Sequence, residues 1–403
     1  MTASPHWSLR RILAAFALLT VLIAIASCGG GGGSAGGGGG IGGTGSPSTL
    51  GTVHFSLTDA PACGYDAVNI TVEKVRVHMS SSAAEDDAGW SEVVLQQARR
   101  INLLDLTNGV LVDLGQTTLP PGKYTQLRLV LASNGSATPL ANSVVPSGGA
   151  ETALTTPSAA QSGLKVNVDI DVPAGQTADV VLDFDACKSV VKRGNSGQFN
   201  LKPVISATTV IAGAGQRVVG FVAPAIALST TQVSLQTAGV PVKSTVPDGT
   251  GTFVLYPVQP GTYDLVIASA GHVTALVTGV TVSASAQTDI NTTIQRINPP
   301  STTTQTVSGI ISPVSATVRA LQTYSSGPTV EAGFAPVDAS TGAFSVSLPM
   351  GAPVRAEAGS SLLFTADSSA ASKFTLEAST GGAPKNTPID VSSPVPPLTL
   401  TVP

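Results

Sequence analysis

Apolar and polar residues alternate at every second position over much of this chain. The segment Leu164–Val172 alternates without a break, and Leu127–Leu131 and Val180–Phe184 are mainly apolar segments of strand length, each with one charged residue. A period of two predicts β-strands that bury one face. The stretch Val68–Val77 changes parity at Glu73–Lys74, which predicts a β-bulge at that point.

Turn residues punctuate these predicted strands. Pro120–Gly122 precedes one strand, and Ile101–Val112 reads as a short strand followed by a turn at Asn108–Gly109. The 43 glycines and 28 prolines disfavour long helices. We therefore predict an all-β fold. Tandem β-sandwich domains are expected, because a two-sheet sandwich buries one face of every strand.

One segment near the beginning of the chain is continuously apolar. Ile12–Ile25 follows Arg10 and Arg11, and at 14 residues it is shorter than the roughly 20 that span a membrane. It fits the core of a secretory signal. Ile25–Cys28 resembles the bacterial lipobox, which implies cleavage before Cys28 and attachment of lipid, including palmitate, to that cysteine. The alternative is an ordinary signal peptide with an incidental cysteine.

The boundaries of the expected regions follow from these signals. The residue after the lipid cysteine is Gly29 and not aspartate. By resemblance to lipoprotein sorting rules, this favours the outer membrane of the cell envelope.

The Gly-rich linker is expected to be a coil with a reach of about 25 Å. The regions are a signal peptide (1–27), the lipidated cysteine with a Gly-rich linker (28–51), and three β-sandwich domains (52–212, 213–298 and 303–403).

The first predicted domain carries a specific resemblance. Five phrases between Ser56 and Ile205, among them SLTDAPACGYDAVNITVEKVRVH and VVLDFDACKSVVKRGNSGQFNLKPVI, resemble the bacterial domain of unknown function 4382. The resemblance implies an envelope lipoprotein and a β-sandwich. It assigns no activity and transfers no catalytic residues.

The second predicted domain contains a distinctive pair of strands. Gly251–Tyr256 and Tyr263–Val266 flank the turn residues Pro260 and Gly261, so we expect a hairpin-like unit. This unit resembles transthyretin-like, carboxypeptidase-regulatory-like modules, whose fold is described as carbohydrate-binding-like. The fold alone does not license sugar binding.

The third predicted domain repeats this pattern in weaker form. Val307–Ile310 and Thr341–Val346 match Val218–Phe221 and Thr250–Val254, which suggests a degenerate second copy. Pro299–Gln305 between the two copies is expected to be a linker.

Three cysteines occur in the chain. With Cys28 assigned to lipid, Cys63 and Cys187 remain, and an exported chain meets an oxidising compartment. A disulfide between them would close a long loop and stabilise by about 4–5 kcal/mol. Two free buried thiols are the alternative.

Few side chains suggest a catalytic or metal site. His54 and His78 lie on predicted strands and would form a paired metal site only if those strands met, so solvent-facing histidines are the simpler expectation. The pairs Asp169/Asp171 and Asp183/Asp185 would hold calcium only on neighbouring strands. We therefore assign no metal, no cofactor and no catalytic residue.

Two aromatic residues, Trp90 and Tyr65, are candidates for stacking on a sugar, with a position at the edge of the core as the alternative. Ligand-binding residues are otherwise unassigned. A net charge of −4 with 11% charged residues gives no footprint for nucleic acid.

The leading hypothesis is a non-enzymatic, lipid-anchored envelope protein that acts as a structural or protein-interaction module. The alternative is a carbohydrate-binding surface lipoprotein. The expected partners are accordingly the membrane, reached through the lipid anchor, and an envelope protein or glycan.

Overall fold

The computed structural model describes residues 49–59, 64–156, 162–211, 213–226 and 230–402. It is 55% strand and 4% helix, which confirms the all-β prediction. The signal segment, Cys28, most of the Gly-rich linker and Cys63 lie outside the described residues. Within those ranges, no helix has the length and apolar character needed to cross a membrane.

The first sandwich contains twelve strands among the described residues. A four-stranded sheet has the order β12-β9-β1-β4, and the larger sheet runs β10-β11-β7-β6-β2-β5-β8, with β3 paired to β2. A 3₁₀ helix at Leu103–Leu106 and a four-residue helix α1 at Ala186–Ser189 interrupt the strands. The strands are β1 (Gly51–Asp59), β2 (Tyr65–His78), β3 (Ser91–Asn102), β4 (Val112–Leu119), β5 (Gly122–Leu131), β6 (Ser143–Pro146), β7 (Thr152–Thr155), β8 (Leu164–Val172), β9 (Thr177–Phe184), β10 (Val190–Lys192), β11 (Phe199–Leu201) and β12 (Ile205–Val210).

The local predictions for this sandwich are largely confirmed. Strand β8 has the predicted bounds, and its alternate residues pack into the core. The register between β2 and its neighbours shifts between Val72 and Lys74, as expected for the bulge. Asn108 and Gly109 both have positive φ angles and form the predicted turn, which is natural for these two residue types.

The second sandwich pairs a three-stranded sheet, β16-β13-β19, with a sheet that begins β15-β14-β17-β18. The predicted hairpin between β16 and β17 is wrong. Strand β16 pairs with β13, whereas β17 pairs with β14 and β18 in the opposite sheet. The Pro-Gly signal marks the reversal of the chain, but the chain also crosses from one sheet to the other. The strands are β13 (Val218–Phe221), β14 (Thr231–Thr237), β15 (Val240–Thr245), β16 (Thr252–Leu255), β17 (Gly261–Ser269), β18 (Ala275–Val282) and β19 (Thr288–Asp289).

The third sandwich repeats the strand order of the second. Its sheets run β23-β20-β28 and β22-β21-β26-β27, and β20 pairs in parallel with β28 as β13 does with β19. The strands are β20 (Thr304–Ser312), β21 (Thr317–Thr323), β22 (Thr329–Ala335), β23 (Ala343–Pro349), β24 (Val354–Glu357), β25 (Thr365–Ala366), β26 (Lys373–Ser379), β27 (Lys385–Asp390) and β28 (Leu398–Thr401), with a 3₁₀ helix at Ser368–Ala370.

A glycine faces a phenylalanine at the same place in both of these sandwiches. Gly220 lies opposite Phe253, and Gly309 lies opposite Phe344. A Cβ on Gly220 would come within 2.2 Å of the Phe253 ring, and one on Gly309 within 2.8 Å of the Phe344 ring. Glycine is therefore required for each aromatic ring to lie across its neighbouring strand.

An insertion joins the third sandwich to the second. Strand β24 pairs in parallel with β18, and β25 pairs with β24, so the sheet of the second sandwich has six strands. Pro299–Gln305 is not a free linker. Val273 donates its N–H to the Pro300 carbonyl at 3.0 Å, and Thr302 donates to the Gly271 carbonyl at 2.8 Å.

Candidate interdomain site

Seven charged residues meet where the three sandwiches come together. The junction cluster comprises Asp183, Asp185 and Lys188 of the first sandwich, Lys243 of the second, and Arg319, Glu331 and Glu377 of the third. Strand β9 delivers Asp183, and the chain then turns into α1, which carries Lys188. Asp185 caps this helix by accepting the Lys188 N–H at 3.0 Å.

Glu331 is the centre of this cluster. Its carboxylate lies 3.2 Å from the Lys188 ammonium and 3.4 Å from the Arg319 guanidinium, and its side chain is 6% exposed. Arg319 also binds Glu377 at 2.7 Å. The ion pairs therefore run from α1 of the first sandwich, through β22, to β21 and β26 of the third.

A second buried ion pair joins the first sandwich to the second. The Lys243 ammonium lies 2.9 Å from an Asp183 carboxylate oxygen, with side chains that are 4% and 12% exposed. Water cannot solvate charges at such depth, so each of them depends on its protein partner.

Burial also changes the protonation of neighbouring carboxyl groups. Desolvation raises the pKa of Asp185, although Lys188 opposes that shift. Asp59, at the end of β1, is 1% exposed, and desolvation together with the negative charge of Asp185 raises its pKa well above the usual value. One of its oxygens accepts the Ala186 N–H at 3.0 Å, and the other has no hydrogen-bond partner.

Further hydrogen bonds reinforce the contact between the second and third sandwiches. Gln236 accepts the Glu331 N–H at 2.8 Å and donates to the Glu331 carbonyl at 2.9 Å. Arg319 donates to the Gly239 carbonyl at 2.7 Å. Since the two bonds between Gln236 and Glu331 are buried and run in both directions, they fix β14 against β22.

The first sandwich is bound to both of the others. Asn108, in the predicted turn, accepts the Val254 N–H at 2.5 Å and donates its own N–H to the Thr245 hydroxyl at 2.8 Å. Asp338 of the third sandwich accepts the Gly194 N–H at 2.7 Å. All three sandwiches therefore share backbone and side-chain contacts, and the described residues belong to one compact unit.

A cavity of about 870 Å³ opens beside the junction cluster, and all three sandwiches line it. Val191 and Leu201 come from the first sandwich, Val240 from the second, and Val314 and Phe334 from the third. Lys188, Arg319 and Glu331 form part of its wall.

The two histidines considered as a metal pair do not meet. His54 lies on β1 and His78 on β2, in different sheets. The His54 ring binds Asp179 at 2.8 Å and Asp113 at 3.0 Å, and these three residues form the His54 cluster. Burial lowers the pKa of His54, but the two aspartates outweigh it, so the net pKa is raised.

The carboxylates considered for calcium are also separated. Asp169 lies on β8 and binds Lys123 at 2.7 Å, whereas Asp183 and Asp185 belong to the junction cluster, where lysines neutralise them. Strands β8 and β9 lie in different sheets. Across the described ranges, no set of three histidine, cysteine or acidic side chains is arranged to hold a metal ion.

Both aromatic candidates are in contact with neighbouring side chains. The Trp90 ring lies over the guanidinium groups of Arg76 and Arg128, 4.6 and 5.1 Å from its centre, and its N–H donates to a backbone carbonyl. Tyr65 packs edge-on against Phe199, and burial raises its pKa to about 12.

The two cysteines of the expected disulfide are only half described. Cys187 is buried in α1, 5% exposed, and Cys63 lies outside the described residues. The disulfide therefore stays a prediction.

Sequence reasoning missed the junction cluster, because the sequence of β15 does not show which of its residues are buried. Val240 and Val242 of this strand are exposed, while Lys243, Ser244 and Thr245 are buried. These polar residues are buried because they contact the first sandwich, where Lys243 pairs with Asp183 and the Thr245 hydroxyl accepts the Asn108 N–H.

Comparison with known proteins identifies one segment of the chain. Residues 50–203 match the family described as a domain of unknown function (DUF4382), which confirms the resemblance of the first sandwich. A search of curated proteins finds no match.

Solved structures give only weak similarities. A type II cohesin–X–dockerin complex mutant from Acetivibrio cellulolyticus is 25% identical over 21% of this chain and 56% of that chain, with a TM-score of 0.18. A streptococcal ancillary pilin is 8% identical over 87% of this chain and 98% of that chain, with a TM-score of 0.17. The Corynebacterium diphtheriae major pilin SpaA is 11% identical over 87% of this chain and 99% of that chain, with a TM-score of 0.16. The chain spans little more than half of the cohesin-complex chain, and at these scores none of the similarities supports a conclusion about function.

Proposed function

We propose that this chain is a non-catalytic structural module of the bacterial cell envelope, in which three sandwiches are held in one fixed arrangement. The observation that carries the proposal is the junction cluster, whose buried ion pairs join all three sandwiches. Domains within a chain move relative to one another unless their interface is extensive. Here separation would leave charged groups without their partners.

The form of the cluster favours orientation over simple adhesion. Buried ion pairs add little net stability compared with apolar packing, but removal of one partner is costly. A cluster of this kind therefore penalises any arrangement in which Glu331 or Lys243 lacks its counter-ion. The strand pairing of β24 with β18 and the bonds of Gln236 act in the same direction.

The attachment of this module to the outer membrane through Cys28 is part of the proposal. Its support is the apolar segment Ile12–Ile25 and the small residues before Cys28. Several acyl chains on one cysteine give lasting attachment, whereas one chain alone is marginal. The carbohydrate-binding alternative gains no comparable support, since Trp90 and Tyr65 are engaged by their own neighbours.

Rigidity is tested by distance measurement between spin labels on Thr118→Cys and Asn386→Cys, two exposed positions in the first and third sandwiches. We expect one narrow distance distribution. Glu331→Gln should broaden it, and the control Glu357→Gln, in an exposed ion pair, should leave it unchanged. A broad distribution without either substitution would contradict the proposal.

The anchor is tested by palmitate labelling and detergent partitioning of whole cells. Cys28→Ser should abolish both labelling and partitioning, while Ser27→Ala, which keeps a small residue before the cysteine, should retain them. Labelling that persists in Cys28→Ser would refute the anchor. Non-reducing peptide mapping separately tests the Cys63–Cys187 bridge, which free thiols at both positions would refute.

A further inference from the structure

We propose that the cavity beside the junction cluster is a binding site for a small amphipathic anion, a carboxylate carried on an alkyl tail. This inference does not depend on the proposed structural function. It rests on three features of the cavity wall: its apolar surface, its unmatched cations, and one buried amide oxygen without a partner.

The size and surface of the cavity suit an alkyl tail. Its volume is about 870 Å³, within the roughly 300–1,000 Å³ typical of small-molecule sites. Val191, Leu201, Val314, Phe334 and Val337 supply apolar surface from opposite sides. Since side chains of the first and third sandwiches face each other across it, the tail would lie between them.

The cations that line this cavity fall into two groups. Lys188 and Arg319 are neutralised by Glu331 and its acidic neighbours. Lys202 and Lys165 form no ion pair with any carboxylate of the described residues. The Lys202 ammonium donates to the neutral Ser315 carbonyl at 2.5 Å. Desolvation of Lys202 lowers its pKa, as expected for a cation in a largely apolar wall without a counter-ion.

Arg128 is a third cation of the cavity wall, after Lys202 and Lys165, that is not paired with a carboxylate of the described residues. Arg128 lies opposite Lys165 in the β5–β8 register, and its guanidinium donates to the carbonyls of Ser162 and Ala83 rather than to a carboxylate. A carboxylate in the cavity would therefore meet Lys202, Lys165 and Arg128. Among the described residues that line the cavity, Glu331 is the only acidic one, and it is already held by two cations.

Asn200 provides an independent indication of a missing partner. Its side-chain oxygen is buried and has no hydrogen bond, although buried polar atoms are nearly always paired. Asn200 lines the cavity next to Leu201 and Lys202. An amide oxygen accepts hydrogen bonds and cannot pair with a carboxylate as it stands. A half-turn of the amide would place the N–H₂ donors at this buried position, where a bound carboxylate would accept from them.

Photoaffinity labelling of the purified full chain tests this site. Two diazirine probes of equal alkyl length are compared, one ending in a carboxylate and the other in a hydroxyl. We expect the carboxylate probe to label peptides that contain Val314 and Phe334 at least about fivefold more than the alcohol does, because charge-assisted bonds are the stronger ones. Equal labelling, or labelling elsewhere only, would overturn the proposal.

Matched variants separate the head-group site from the tail site. Lys202→Met keeps the apolar stem and should reduce carboxylate labelling to the level of the alcohol, while Lys385→Met, at an exposed strand far from the cavity lining, should not. Val314→Trp should block both probes, and Val94→Trp, at another exposed valine that lies outside the cavity lining, should block neither. Undiminished labelling in both Lys202→Met and Val314→Trp would show that the cavity is not the binding site.

Discussion

The junction cluster and the His54 cluster both join strands through ion pairs, but water reaches only one of them. Glu331 and Lys243 have side chains 6% and 4% exposed, whereas Asp113 and Asp179 are 69% and 52% exposed. Exposed pairs contribute about 0–1 kcal/mol, while the loss of one partner from a buried pair costs about 3–5 kcal/mol. The same residue types should therefore matter very differently in the two places.

The largest effect is expected from Glu331→Ala. This change leaves the partly buried Lys188 and Arg319 without their shared, buried carboxylate, so the unfolding free energy should fall by about 3–5 kcal/mol. Urea unfolding, followed by the circular dichroism of the backbone, measures the change in unfolding free energy. The exposed control Glu357→Ala should lose less than about 0.5 kcal/mol; equal losses in the two variants would remove the distinction between buried and exposed pairs.

The next largest effect is expected from Lys243. Its substitution tests whether the Lys243–Asp183 pair fixes the orientation of the sandwiches rather than stabilising the fold. Lys243→Met alone should cost about 2–3 kcal/mol, because Asp183 stays partly buried without its counter-ion. Lys243→Met combined with Asp183→Leu should recover most of this loss, since apolar residues replace both charges. A double variant less stable than the single one would mean that the ion pair itself is strongly stabilising.

Substitution of Asp59 is expected to raise stability, whereas the preceding single substitutions lower it. Its raised pKa means that the folded chain binds a proton more tightly than the unfolded chain, so stability declines as pH rises from the unfolded value of 3.8 through the folded pKa. Asp59→Asn keeps the oxygen that accepts the Ala186 N–H and removes the buried charge. We expect a gain of about 1–3 kcal/mol at pH 7 and none near pH 4.

Urea midpoints at these two pH values measure that difference. Ser56→Ala, another β1 side chain without a titrating group, serves as the control and should show the same pH dependence as the unchanged chain. An Asp59→Asn variant whose stability still falls with rising pH as steeply as before would show that another group causes the decline.

The sequence predicts the strands well where one face of each strand meets water. Leu164–Val172 alternates because its lysine, asparagine and aspartates face outward, and β8 has those bounds. The parity change at Glu73 likewise reports the bulge directly. These features are local, so the pattern of neighbouring residues is sufficient to find them.

The partners of the strands and the contacts between sandwiches are not local. Pro260 and Gly261 signal a reversal, but nothing near them determines whether β17 joins the sheet of β16 or the opposite one. Lys243 and Glu331 are 88 positions apart in the sequence, and neither belongs to a repeated pattern. Each resembles an ordinary exposed charge until the sandwiches are assembled.

The smallest effect is expected at the His54 cluster, where solvent and salt screen the charges. The raised pKa of His54 means that its contribution is complete below the unfolded value of 6.5 and is lost as pH rises through the folded pKa. His54→Gln should therefore lower stability at pH 6 by at most about 1 kcal/mol and have almost no effect at pH 8.5. High salt should reduce the difference at pH 6, because screening weakens exposed pairs. Thermal unfolding at both pH values checks this, with the partly exposed His272→Gln as the control. A loss of stability in His54→Gln that grows as pH rises would contradict the raised pKa of His54.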